Sequence, residues 1–462
     1  MLDLAFIAFM GIILLLGMKR PFLWVLGYIY VDILGPQRIS WGLLSVIPIS
    51  LIFFVAAFAG WLLFDRKDGS RFTARQAAML LFLLLCGMTT LGAEFPESAV
   101  EKWSWVWKSL VFAIFLPFTI RTRLRIEATL LVMVLTVGAI IISAGIKTLV
   151  SGGGYGELSS FTSANHGIYE GSTLSTVAIT IIPLIVWLAR HGTIFKPEWR
   201  VTLYALGLGF AALLVPVGTQ TRTGLLCIGV LAVLSLRDVK RRFVYLGLMA
   251  AAAVIAIPFL PQSYTERMST IRSHEADTSA STRIAVWQQT LEQVKANPMG
   301  GGFDAYLGNE IKYKTREVID EGGSKRVERR DVVDEGRAYH SAYFEVLGEQ
   351  GWLGLTLWLS IQLSGLLSME RIRWKLRRSL DTVDRADASL AVALQIAHLV
   401  YMFGAIFVGI AYQPFIFMLV ALEIGLALQV KSRAKPAQPP QAARESRAPR
   451  AMIVPGSQAA AQ

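Results

Sequence analysis

Three side chains in the 462-residue sequence stand out as able to do chemistry together: Arg222, Arg283 and His340. Two guanidinium groups can grip a diphosphate through bidentate, charge-assisted hydrogen bonds and stabilise it as a leaving group. An imidazole that titrates near neutrality can take a proton from an attacking hydroxyl. Together they suit sugar transfer from a lipid diphosphate donor, with arginine charge where a metal would otherwise stand. The sequence has no Asp-x-Asp pair and no His/Cys cluster, so the expectation is no metal and no cofactor.

Each of the three also has a plainer reading. Arg222 lies in Thr219-Gln220-Thr221-Arg222-Thr223-Gly224, where two apolar runs meet. Arginine is costly there and usually partnered, though it can also snorkel to the headgroups. Its polar neighbours, and its place on the side without basic clusters, favour function. Arg283 opens a helix expected over Thr282 to Val294, with Ile284, Trp287, Leu291 and Val294 at helical spacing and Asn297-Pro298 and Gly300 to Gly302 ending it. A cation at that end opposes the helix dipole, so helix stability does not explain it, whereas a surface salt bridge would.

His340 starts the run His340-Ser-Ala-Tyr-Phe-Glu-Val-Leu-Gly-Glu-Gln-Gly-Trp-Leu-Gly354. If helical, this run sets His340, Tyr343, Phe344, Leu347 and Gly351 on one stripe and Glu349 about 180° from His340. Glu349 is then expected to serve packing rather than the histidine, and His340 itself has an ordinary interfacial reading. Arg337 and Tyr343, flanking His340, are candidate donor or acceptor contacts. Asn165 and His166 could line an acceptor groove, although a loop histidine is commonly just polar surface. Glu94 and Glu97 read as a solvated loop. His191, His274 and His398 fall in a cytoplasmic loop, a charged loop and a helix interior.

These residues must be positioned by helices in a bilayer. The chain is 54% hydrophobic and only 17% charged, with a mean hydropathy of +0.51, far from soluble usage. Runs such as Leu43 to Phe64, Thr129 to Ala144, Ser172 to Leu188 and Val244 to Leu260 approach or exceed the ~17 to 20 residues that span hydrocarbon. Basic clusters recur at Lys19-Arg20, Arg66 to Arg75, Arg121 to Arg125, Arg190 to Arg200, Arg237 to Arg242 and Arg371 to Arg385, with two spans between consecutive clusters. Retention of basic loops puts them all in the cytoplasm, leaving Arg222, Arg283 and His340 on the opposite, periplasmic side.

The expected fold is therefore an all-α polytopic membrane protein with about 12 transmembrane helices and one long periplasmic loop. Residues 1–261 form the N-terminal membrane helices, 262–340 the periplasmic loop with short helices, 341–430 the C-terminal membrane helices, and 431–462 a disordered cytoplasmic tail rich in Pro, Ala, Gln and Arg. Helix interiors are expected to be nearly uncharged. The formal charge of +12 lies in separated clusters rather than on one face, which argues against nucleic acid. Cys86 and Cys227 sit inside apolar runs as packing residues. The first apolar stretch follows Met1-Leu2-Asp3 without a basic n-region, unlike a cleavable signal peptide.

Two of these stretches resemble a known family. The run His340 to Gly354 is similar to the signature of the O-antigen ligase and polymerase superfamily, and TRIAVWQQTLEQVKANPMGGG matches its Arg, Trp, Asn-Pro and Gly-x-Gly pattern. The arginine of TQTRTG stands where that family carries its first essential arginine. The stretch KRPFLWVLGYIYVDILGPQRISWG looks like the branch of probable O-glycosylation ligases associated with exosortase systems. The resemblance implies an inverting, metal-independent glycosyltransferase of the GT-C type in the bacterial inner membrane, with an undecaprenyl-diphosphate-linked glycan as donor. Arg222 and Arg283 would bind the diphosphate and His340 would activate the acceptor hydroxyl of a glycan, lipid or protein. The charged insert Lys312 to Arg337 departs from the family pattern. A polymerase joining lipid-linked repeats shares this chemistry, whereas a transporter or flippase would need polar or broken helices near mid-membrane.

Overall fold

The computed structural model describes residues 2–36, 43–67, 71–154, 168–261, 264–265, 278–321 and 324–433. In order come α1 (Leu2–Lys19), α2 (Phe22–Leu34), the single turn α3 (Leu43–Val46), α4 (Ile49–Phe64), α5 (Ala74–Leu91), α6 (Pro96–Thr119) and α7 (Arg123–Ser151). Then follow α8 (Gly171–Thr180), α9 (Ile182–His191), α10 (Trp199–Gly218), α11 (Arg222–Ser235) and α12 (Arg242–Ala256). Helix α13 (Thr278–Ala296) leads to strands β1 (Glu310–Glu321) and β2 (Ser324–Glu335), and α14 (Ala342–Leu376), α15 (Thr382–Gly404) and α16 (Pro414–Arg433) complete the described chain.

Among the described residues, seven helical stretches are long and apolar enough to cross a membrane: α5, α7, α8 with α9, α10, α14, α15 and α16. Four more apolar stretches are shorter, namely α2, α4, α11 and Arg242–Ala252 of α12. The chain is a multi-pass membrane protein. Helices suit that medium because they satisfy their own backbone polar groups where no water can. Polar caps set the ends: Thr73 and Gln76 form a reciprocal capping box at α5, and Glu170 and Asp381 cap α8 and α15.

Burial sorts the helices. In α16 every residue from Phe415 to Leu426 is buried, as expected for a helix at the centre of a bundle. It packs on α6 and α14, and α14 in turn packs on α5 and α15. Helix α12 is the reverse, with Phe243 and Ile255 exposed at 76% and 67%, a face that only hydrocarbon would solvate.

Two expectations need correcting. The helix interiors are not nearly uncharged: Glu423 of α16 accepts from Arg75 Nη1 at 3.0 Å and faces His398 Nδ1 at 2.8 Å, while His398 Nε2 lies 3.0 Å from Gln362. Both Glu423 oxygens are held, so the group ties α5, α14, α15 and α16 together and His398 is more than a bland helix-interior residue. The charged insert also does more than interrupt a loop of short helices. It is an antiparallel hairpin in register from Glu310 opposite Glu335 to Glu321 opposite Ser324. Its strands carry Val318, Ile319, Val327, Val332 and Val333, and Gly322-Gly323 stands between them, so β-branched content outweighs the charge.

Candidate functional site

The site is built where α13, the hairpin and the start of α14 meet. Helix α13 begins at Thr278, so Arg283 lies in its second turn rather than at its tip. The helix buries Thr282, Val286, Thr290 and Val294, while Ile284 is 52% exposed, which rotates the buried face from the one expected. Trp287 stacks on Phe344 with ring centroids 4.9 Å apart, and its Nε1 donates to the Tyr339 carbonyl at 2.9 Å. Arg283 sits one turn before Trp287 on the same side. That spacing aims Arg283 at the residues around Tyr339.

His340 is not on a helical stripe. Helix α14 starts at Ala342 with Ser341 at its cap, and His340 precedes it with φ +47°. The left-handed region costs a non-glycine residue about 1 kcal/mol or more, and such strain persists only when the surroundings impose it. Here they do. Tyr339, Ser341 and Ala342 are all buried, the Tyr339 carbonyl takes the Trp287 bond, Ala342 N donates to Ala405 O at 2.8 Å and Glu345 N to Ser341 O at 2.8 Å. His340 keeps an exposed edge, while the surrounding protein still takes water from much of its ring.

Charges gather on that ring. The protein surrounding it, and next Arg283, hold the His340 pKa below its usual value; Glu170 pulls the other way and Arg337 adds to the lowering. Arg337 also pairs with Asp334 at 3.0 Å, and its backbone is clamped by Asn309, which donates to Arg337 O at 2.6 Å and accepts from Arg337 N at 2.9 Å. Tyr343 donates its hydroxyl to Met402 O at 3.0 Å, which makes it an anchor for α14.

Arg222 joins through α8. Glu170 caps that helix by accepting from Ser172 N and Thr173 N. Five residues on, or about 7.5 Å along the axis, Ser175 accepts from the Thr221 hydroxyl at 2.8 Å and meets Thr219 Oγ1 at 2.8 Å. Thr221 directly precedes α11, whose first residue is Arg222, and Gln220 before it takes φ +53°. Close approach needs Gly224, where a Cβ would lie 2.6 Å from Pro216 and 2.9 Å from Ser175. Asn165 and His166 lie outside the described residues, as does the tail beyond 433. Glu94 and Glu97 are both exposed, but only Glu94 lies in a loop, its N donating to Gly301 O at 2.9 Å, while Glu97 stands in the first turn of α6.

Sequence reasoning missed Lys102. Its ammonium lies 2.9 Å from Glu345, 2.7 Å from Glu349 and 3.4 Å from Asp304, and 5.1 Å from the Tyr412 ring centroid. Glu349 also accepts from Asp304 N at 3.0 Å, so it serves packing as expected, though through a cation rather than through helix contacts alone. A lysine among the tryptophans of EKWSWVW was the available signal, with two carboxylates at i and i+4 on α14 as its partners.

Two glycine motifs interlock beside this cluster. Helix α14 breaks at Gly351, with φ +64° and ψ −166°. Gly301 N donates to Gly348 O at 2.9 Å, Gly302 N to Glu349 O at 2.9 Å, and Trp352 N to Pro298 O at 3.1 Å. A Cβ on Gly351 would stand 2.6 Å from the Met299 carbonyl carbon, and one on Gly300 2.6 Å from Gly351 N. Gly351→Ala is expected to cost about 3 kcal/mol or more, read as a lower unfolding temperature in detergent. Gly229→Ala on α11, where a Cβ meets nothing within 4 Å, should leave it unchanged or raise it.

This is a helical membrane protein with an exposed histidine held at positive φ just before α14. Residues 206–359 match the family model described as O-Antigen ligase, and residues 1–193 match a family of unknown function (DUF5935). No curated protein matches the chain. This O-antigen ligase domain, which spans Arg222, Arg283 and His340, supports an O-antigen ligase-like superfamily and a ligase-like or polymerase-type membrane enzyme.

Proposed function

We propose that this enzyme transfers a glycan from an undecaprenyl-diphosphate carrier to an acceptor hydroxyl at the periplasmic face of a bacterial inner membrane. The reading is supported by His340, exposed and held at positive φ just before α14, whose pKa the surrounding protein and next Arg283 lower, with the start of α11 at Arg222 tied to α8 through Thr221 and Ser175. A histidine held neutral can accept a proton, and the same guanidinium groups suit a diphosphate.

His340 takes the acceptor proton as the hydroxyl oxygen attacks the anomeric carbon from the face opposite the diphosphate. The bond from that carbon to the diphosphate oxygen breaks, and its electron pair leaves with the carrier, held by Arg222 and Arg283. Configuration inverts and no metal takes part. The shorter apolar helices α2, α4, α11 and α12 complete a GT-C architecture of about twelve crossings, given local bilayer thinning or flanking helices. The buried group around Glu423 has its partners within the bundle, so it does not call for a transport pathway.

The pH dependence follows from the sign of the shift. Loss of Arg337's positive charge favours protonated His340 and raises its pKa. Arg337→Gln is therefore expected to move the acid limb of the kcat/KM profile to higher pH, and an unmoved limb would separate His340 from the proton transfer. In cells, ligase action predicts that loss of the protein leaves long lipid-linked chains unattached. Accumulation of single lipid-linked repeats would instead assign it as a polymerase, and normal surface glycan would count against both.

A further inference from the structure

At the end of α14 away from His340, an open surface pocket of about 350 Å³ is lined by Asp238, Arg373, Arg377, Arg385, Ser389 and Val392. Beyond the break at Gly351, α14 runs about 37 Å, enough to cross the ~30 Å of hydrocarbon. The pocket therefore lies at the opposite membrane boundary from the proposed transfer site.

The charges around it do not cancel. Arg373 is buried and held by Asp238, donating from Nε at 3.3 Å, and by Glu370 at 3.0 Å. Arg237 donates to the same Glu370 oxygen at 2.5 Å. Two arginines thus answer two carboxylates. Asp384 accepts from the Ser379 hydroxyl at 2.9 Å and faces Arg433 at 3.6 Å, and Asp381 caps α15. Arg377 and Arg385 remain on the wall, and among the described residues neither forms an ion pair. The Ser389 hydroxyl adds a donor beside them.

Apolar groups flank this basic wall. Trp374, 60% exposed, carries the Arg377 guanidinium 4.0 Å from its ring centroid, and Leu380 is 96% exposed. Exposed tryptophan beside arginine at a helix end is the pattern of a membrane-water interface. A free anion would use the arginines and leave the apolar flank bare. We infer that the pocket binds the phosphate of an anionic phospholipid headgroup, with Arg377, Arg385 and Ser389 on the phosphate and Trp374 and Leu380 against the acyl-chain end. The inference is independent of what His340 does.

The test uses the full chain, purified and delipidated in detergent, with bound lipid counted by native mass spectrometry. Wild type should retain phosphatidylglycerol over phosphatidylcholine by about thirtyfold, the effect of two interfacial arginines. Arg377→Gln/Arg385→Gln should reduce that preference to about twofold or less while keeping the wild-type unfolding temperature. Trp374→Ala should shorten retention of both lipids, and millimolar inorganic phosphate should leave phosphatidylglycerol in place. Equal retention of the two lipids, an unchanged preference in the double variant, or displacement by inorganic phosphate would each overturn the assignment.

Discussion

His340→Asn is expected to lower glycan transfer by about 10²- to 10⁴-fold while leaving the folded protein intact, the range for losing a general base. Asparagine is the informative replacement because His340 sits at φ +47°. Asparagine tolerates the left-handed region, whereas a β-branched side chain there would be strained. His340→Ala should be equally inactive and slightly less stable. Equal loss in both variants, with the asparagine form melting at the wild-type temperature, assigns the defect to chemistry. If His340→Asn keeps activity within about threefold, far inside the span expected for a general base, the role of the imidazole is lost.

The second large effect concerns stability. Lys102→Met leaves Glu345, Glu349 and Asp304 facing one another without the cation that now sits within 3.4 Å of all three. Breaking a buried ion group by removing one partner costs about 3 to 5 kcal/mol, and the loss should appear as a large fall in unfolding temperature and in transfer. The carboxylates anchor both sides of the site: Asp304 follows the Gly300 to Gly302 segment, and Glu345 accepts from Ala411 N at 3.1 Å. Adding Glu349→Gln should recover part of the loss, since an amide oxygen can still accept from Asp304 N with one charge fewer. No recovery in the double variant would mean that Lys102 acts through packing on Phe303 and Tyr412 instead.

Much of this arrangement is legible from residue order, and the rest fails for physical reasons. Apolar runs and basic clusters announce membrane helices because hydrocarbon permits few alternatives. They do not fix the number of crossings, since α2, α4 and α11 fall short of a full span in isolation. The α13 helix and its stop at Asn297-Pro298 follow from local signals. The backbone at His340 does not, because the run His340 to Gly354 reads as one helix, and only tertiary bonds to Trp287 and Ala405 bend its start. Lys102 meets Glu345 and Glu349 across 243 and 247 residues, a separation that no local pattern encodes. The hairpin was recoverable, because Gly-Gly between two β-branched stretches is a turn signal, but its dense charge concealed the strands.

The glycines of the two family motifs gain a physical reason as well. Gly300, Gly302 and Gly351 all take positive φ where the chain segments cross, and a side chain at any of them would push against neighbouring backbone. They hold the segment after α13 to α14.

The central claim is a metal-free transfer with His340 as base. Its most direct test is transfer by the purified full chain from a defined undecaprenyl-diphosphate-linked glycan to an acceptor hydroxyl, in the presence of EDTA. The expected result is an inverted product and released undecaprenyl diphosphate with wild type, and neither with His340→Asn. Strict dependence on added divalent metal, or undiminished product from His340→Asn, would contradict it.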